Sequence, residues 1–274
     1  MTTTEMITAE TRTLTVGSAA VRYRVLGSGP ALVLVHGTGA GSVTWDRLLG
    51  RLTDDFTVVL PDLSGSDAVE DDAPFTVATL AEQVAAVIEH AGAELGVPAP
   101  MDVLGHSLGA GVVVALAGSR PDLVRRLVPL SGWAHNRDEY MRNTMDLFRS
   151  LADRPEDFAQ FAMLTAFSRR YLQEIGRPAV DELARAFAST PGRARQLDAV
   201  RHAIRHDGLS GLIPRITAPT LVIGCADDGL VPVRNAKDLH AAIPGSRYAE
   251  LDSGHVARIE RPEELVAVVR EFLA

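Results

Sequence analysis

Short apolar stretches of strand length alternate with helix-patterned segments along most of this chain, and that repeat constrains its fold more than any other feature. Thr11 to Val16 and Ala20 to Leu26 have the mixed patterning of strands with one solvated face. Ala31-Leu32-Val33-Leu34-Val35 is apolar without interruption, as a parallel strand covered on both faces requires. Thr57 to Leu60, Met101 to Leu104, Arg126 to Leu130, Thr220 to Ile223 and Tyr248 to Leu251 repeat that style. Helical patterns fill the gaps at Ser42 to Leu52, Thr76 to Leu95, Ala110 to Ser119, Arg234 to Ile243 and Pro262 to Leu273. Such alternation predicts an α/β class with a mostly parallel sheet.

The alternation stops between about Trp133 and Pro214, where every segment reads as helix, with stop signals at Arg154-Pro155, Gly176-Arg177-Pro178 and Thr190-Pro191-Gly192. Helices inserted between two strands are expected to cover the carboxyl edge of the sheet, where open α/β sheets bind ligands. Half of the chain's aromatic residues fall in one part of this insertion: Trp133, Tyr140, Phe148, Phe158, Phe161, Phe167 and Tyr171. A helical unit needs such residues for its own core, but together with Met141, Met145 and Met163 they also suit an apolar pocket wall.

Chemistry is signalled by Gly105-His106-Ser107-Leu108-Gly109, a G-x-S-x-G run between an apolar strand and a buried helical segment. A serine on that bend is lifted out of the sheet into a cleft, and the glycines let the two backbones approach. Its hydroxyl is a weak nucleophile and needs a base, itself oriented by a carboxylate. Of the eight histidines, His255 follows the last strand on a loop at the same sheet edge. His90, His202, His206 and His240 lie in helical patterns, where solvated or capping roles are the default, and His135 opens the insertion, where it could touch a ligand. The carboxylate is expected after Thr220 to Ile223, in Gly224-Cys225-Ala226-Asp227-Asp228-Gly229-Leu230-Val231-Pro232; Asp228 is the favoured choice and Asp227 its alternate. Donors for a developing oxyanion are expected at the backbone N–H of Leu108 and, from the loop His36-Gly37-Thr38-Gly39-Ala40-Gly41, at that of Thr38. That loop has neither the G-x-G-x-x-G pattern nor a P-loop lysine, so phosphate binding is disfavoured.

With these motifs in this order, nearly the whole chain resembles an α/β-hydrolase-fold enzyme. The resemblance implies a mostly parallel eight-stranded sheet flanked by helices, formed by a discontinuous core of residues 1–133 and 214–274, with 134–213 as an all-helical cap inserted after the sixth strand. It also implies a pocket near His36, Gly37, Gly39, His106, Trp133, His135, Tyr140, Phe148, Phe161, Phe167 and Leu230. One departure stands out. Where the family commonly carries D-x-x-G-x-G-x-S, this chain has Pro61-Asp62-Leu63-Ser64-Gly65-Ser66-Asp67 followed by an acidic run, Glu70-Asp71-Asp72, that reads as a solvated loop.

The expected activity is hydrolysis through an acyl-enzyme of an ester, thioester, lactone or activated carbon–carbon bond beside a carbonyl. A biosynthetic acyl transfer, cyclisation or condensation on the same scaffold is the alternative, and a non-catalytic small-molecule receptor a third reading. Serine at the elbow excludes dehalogenase and epoxide-hydrolase chemistries, which use an aspartate there. A net charge of −8 argues against nucleic-acid partners. No stretch approaches the roughly 18 to 20 apolar residues of a membrane span, and the first residues do not resemble a signal peptide, so a cytoplasmic enzyme is expected. No metal motif or nucleotide loop is present, and no cofactor is expected; the small-molecule substrate is the expected partner, and oligomeric state is not readable. Cys225 is the single cysteine and reads as a small half-buried hydrophobe.

Overall fold

A computed structural model describes residues 10–66, 76–96, 99–189, 193–206 and 208–274. The acidic run 70–72 and the expected stop at 190–192 lie outside the described residues. Eight strands, β1 (Glu10–Val16), β2 (Ala19–Leu26), β3 (Ala31–Val35), β4 (Thr57–Pro61), β5 (Met101–His106), β6 (Val124–Leu130), β7 (Leu221–Cys225) and β8 (Arg247–Leu251), form one sheet in the order β1-β2-β4-β3-β5-β6-β7-β8. β1 pairs antiparallel with β2 and β2 antiparallel with β4; every other pairing is parallel.

Side chains of the central strands divide between two cores because successive residues point to opposite faces. Val33, Val35 and Val103 face one side, against α2 (Val77–Leu95) and α3 (Leu108–Ser119). Leu32, Leu34 and Leu104 face the other, against α1 (Asp46–Leu52) and α10 (Pro262–Leu273), with α9 (Ala257–Glu260) leading into α10. Burial on both faces explains why these strands are apolar at every position. α2 starts at a capping box in which Thr76 and Thr79 satisfy each other's backbone N–H, and ends at Gly96 in the left-handed conformation.

Between β6 and β7 the chain makes helices α4 (Glu139–Leu151), α5 (Pro155–Ala166), α6 (Arg169–Ala188) and α7 (Arg193–His206), with no strand among the described residues. The stop expected at Gly176-Arg177-Pro178 interrupts α6: Gly176, at φ 73° and ψ 168°, leaves the helical conformation and kinks the segment, with Pro178 just beyond. α4 buries Met141, Thr144, Met145, Phe148 and Leu151, a stripe at helical spacing that faces inward over the sheet edge. α8 (Val233–Ala242) then covers β7 and β8.

Candidate active site

β5 runs two residues past its apolar core, and Gly105 and His106 still pair with Pro129 and Leu130 of β6. The chain must then reverse into α3 within one residue. Ser107 takes φ 57°, ψ −118°, a left-handed geometry unusual for a side-chain-bearing residue, and α3 begins at Leu108. Its backbone is tied on both sides: its N–H donates to Leu130 O at 3.0 Å, and its carbonyl accepts from Ala110 N at 2.9 Å. A Cβ on Gly105 would stand 2.1 Å from Gly109 O, and one on Gly109 would stand 2.3 Å from Val35 O. Backbone cannot yield as a side chain does, so Gly109→Ala is expected to cost about 1–3 kcal/mol and lower Tm by roughly 5 °C. A thermal melt unchanged from the parent would show that the elbow has slack.

His255 sits on the loop after β8, its ring buried and its Nδ1–H donating to Asp228 Oδ2 at 2.7 Å. The other carboxylate oxygen accepts the N–H groups of Leu230, at 2.9 Å, and Val231, at 2.7 Å. Asp228 is therefore held by three donors, aimed at the histidine by its own turn. Asp227 is exposed; its N–H donates to Ser253 O at 3.0 Å, which closes the two loops together, and its carboxylate does not meet His255.

Two further histidines line up beside this pair. His106 Nε2–H donates to His255 O at 2.8 Å and its ring lies 4.7 Å from that of His255, so it braces the histidine loop. Burial, reinforced by His255 and Arg258, pushes His106 well below the usual imidazole range, and it stays neutral. His36 accepts from Leu63 N at 3.0 Å through Nε2, which leaves Nδ1–H to donate to Gly37 O at 2.6 Å. Both bonds need the neutral tautomer, and burial lowers its pKa accordingly. Cys225 is fully buried rather than half-buried; Ser131 Oγ donates to its Sγ at 3.3 Å, and burial raises its thiol to about 12. It is not a competing nucleophile.

Ser107 and His255 line the same cavity of about 240 Å³, together with Gly37, Thr38 and Gly39. Among the described residues nothing in the protein accepts from the N–H of Thr38 or Leu108, whereas Gly39 N–H is taken by Gln196 Oε1 at 2.5 Å. Gln196, fully buried on α7, also donates to Ser64 O at 3.4 Å. Its pattern in the sequence is that of any polar helical residue, so nothing marked it. Gln83 secures the same Ser64 turn by accepting from its N–H at 3.0 Å, so this turn after β4 is held from both sides.

The apolar part of the cavity comes from Trp133, Met145, Phe148, Phe158, Phe187 and Leu230, among others. Of the residues expected there, Gly37, Gly39, His106, Trp133, Phe148 and Leu230 line it. Five do not, each because another partner holds it. His36 turns beneath its loop to Leu63. His135 pairs with Asp238 at 3.3 Å. Tyr140 is 57 % exposed, its hydroxyl donating to Gly229 O at 3.2 Å. Phe161 packs against Phe148 at 4.8 Å, and Phe167 lies between Tyr171 and Phe187. Phe187 and Leu197, from the aromatic-poor end of the insertion, complete the wall.

The insertion is fastened to the loops bearing His255 and Asp228. Buried Glu260 accepts from Ser168 N at 2.9 Å and Ser168 Oγ at 2.6 Å, and Gly229 N donates to Thr165 O at 3.1 Å. A Cβ on Gly254 would stand 2.5 Å from Ser168 N, so the histidine loop presses on the turn between α5 and α6. Among the described residues no helix is long and apolar enough to cross a membrane, and no group of three or more His, Cys, Asp or Glu is placed to hold a metal ion.

Comparison with known proteins agrees with this geometry. A family profile described as alpha/beta hydrolase fold matches residues 30–262. Pyrrolizixenacetamide deacetylase of Xenorhabdus hominickii is 40 % identical over 265 residues, 94 % of this chain and 96 % of that protein. A crystal structure of a hydrolase from Pseudomonas aeruginosa PA01 superposes with a TM-score of 0.77 at 26 % identity, covering 96 % of this chain and 98 % of the other. A thermophilic esterase from Thermogutta terrifontis shares the fold at 23 % identity, with a TM-score of 0.81 over 97 % of this chain and 98 % of its own.

Proposed function

Since this chain belongs to the alpha/beta-hydrolase-fold family and is a hydrolase of that fold, we propose that it cleaves small acyl compounds through a serine acyl-enzyme. Ser107 Oγ attacks the carbonyl carbon while His255 Nε2 takes its proton. The Nδ1–H bond to Asp228 fixes the tautomer that leaves Nε2 free as a base and stabilises the imidazolium once it forms. The N–H groups of Thr38 and Leu108 receive the oxyanion. Collapse of the tetrahedral intermediate expels the leaving group with the proton from His255, and water, deprotonated by the same histidine, releases the acid and regenerates Ser107.

One observation carries this reading: the strained serine and the carboxylate-held histidine open into a single cavity whose remaining wall is mostly apolar. Residues 134–213 act as the cap that supplies most of this wall, and residues 1–133 with 214–274 as the core that supplies the chemistry and the rest of the lining. The cavity volume of about 240 Å³ suits a small ester, thioester, lactone or acyl amide; the relative named as a deacetylase of an acetamide supports the last of these.

A panel of p-nitrophenyl esters in water enriched in ¹⁸O tests the proposal. Short and medium acyl chains are expected to turn over and deliver one labelled oxygen to the released acid. Turnover without label in the acid would replace hydrolysis by transfer to another acceptor.

A further inference from the structure

Arg258 lies on α9, three residues after His255, and lines the cavity beside Ala40, Thr44 and His106. Among the described residues it has no hydrogen bond or ion pair, although arginines elsewhere in the structure are repeatedly paired, such as Arg125 with Asp102 and Arg201 with Asp146. The charge that acts on it, Arg47, is of the same sign. Burial first, then Arg47, lowers its pKa to about 10, so it remains a cation at neutral pH. His36 and His106, which it influences, are both held neutral. Asp62, whose charge acts on His36, is occupied in accepting Ser42 N–H at 2.7 Å.

Arg258 is half-buried and lines the cavity without a protein partner among the described residues, and a planar fork of five donors matches a carboxylate. We infer that Arg258 is a specificity residue that binds a carboxylate carried by the substrate, so that the preferred substrate is an acyl compound with an apolar body and one anionic end. This inference rests on the cavity being the substrate site, and it assigns a polar end to a pocket whose other walls are mostly apolar.

Binding to the Ser107→Ala protein tests it independently of turnover, using monomethyl adipate and dimethyl adipate, which differ in one charge at nearly constant shape. Calorimetry is expected to give tighter binding of the monoester by about tenfold or more, as for a charge-assisted hydrogen bond. Arg258→Met is expected to abolish that difference and Arg258→Lys to retain part of it. The inference is overturned if the two esters bind equally, if neither binds, or if the preference survives Arg258→Met. Thermal unfolding of ligand-free Arg258→Met adds a check on folding: its midpoint is expected to stay level or rise, because a half-buried cation without a protein partner is replaced by an apolar chain. A fall would show that the guanidinium is satisfied within the fold and would also overturn the inference. Loss of the acyl-enzyme mechanism alone would leave this binding preference intact.

Discussion

Ser107→Ala is expected to lower kcat for a p-nitrophenyl ester on the order of 10⁶-fold, and His255→Ala by a similar factor. The double variant is expected to lose little beyond either single one, because a nucleophile and its base act as a unit. Ser107 carries no interaction among the described residues that would make its hydroxyl a structural keystone; its ties to Leu130 and Ala110 are through the backbone and survive the substitution. Thermal melting close to that of the parent is therefore the expected companion result. Additive losses in the double variant would mean that serine and histidine act in separate steps.

Asp228→Asn is expected to reduce kcat on the order of 10⁴-fold, and Asp227→Asn by less than about threefold. The argument is one of tautomers. Oδ1 of Asp228 accepts two backbone N–H groups, from Leu230 and Val231, and an asparagine oxygen can keep accepting both. The amide nitrogen must then face His255 Nδ1, where the carboxylate oxygen now accepts at 2.7 Å. A donor in that place requires Nδ1 to be the acceptor, moves the ring proton to Nε2 and removes the base. Asp227 has no such contact; its link to Ser253 is made by its backbone and persists in the variant. Steady-state kinetics of the two variants decide the matter, and comparable losses in both would contradict the assignment of Asp228.

Much of the scaffold was legible because burial on both sheet faces forces continuous apolar strands, which stand out against amphipathic helices. The strand β5 is longer than its apolar run because Gly105 and His106 are held by pairing to β6, a tertiary contact that glycine and histidine do not announce. Spacing alone allowed Asp227 or Asp228 to reach His255. The turn decides between them: Asp227 is pinned by its N–H to Ser253 with its side chain outward, and Asp228 turns inward onto the N–H groups of Leu230 and Val231.

Which aromatic residues reach the cavity was not legible, because packing between helices sets it. Phe148 and Phe161 are both suitable by composition, yet Phe148 lines the cavity and Phe161 packs against it. Long-range polar ties were equally silent. Gln196 and Gly39 are 157 positions apart, and Glu260 and Ser168 are 92, distances over which no local pattern links residues. Arg258 is closest to being readable, at a fixed step from His255, but a lone arginine in a short helix normally reads as a solvated side chain.

The acyl-enzyme claim is tested most directly by incubating the protein with a fluorophosphonate and locating the adduct by peptide mass spectrometry. A single adduct on Ser107, formed with parallel loss of esterase activity and absent from Ser107→Ala, is the expected result. An adduct on another residue, or full esterase turnover by a protein left unmodified, would contradict it.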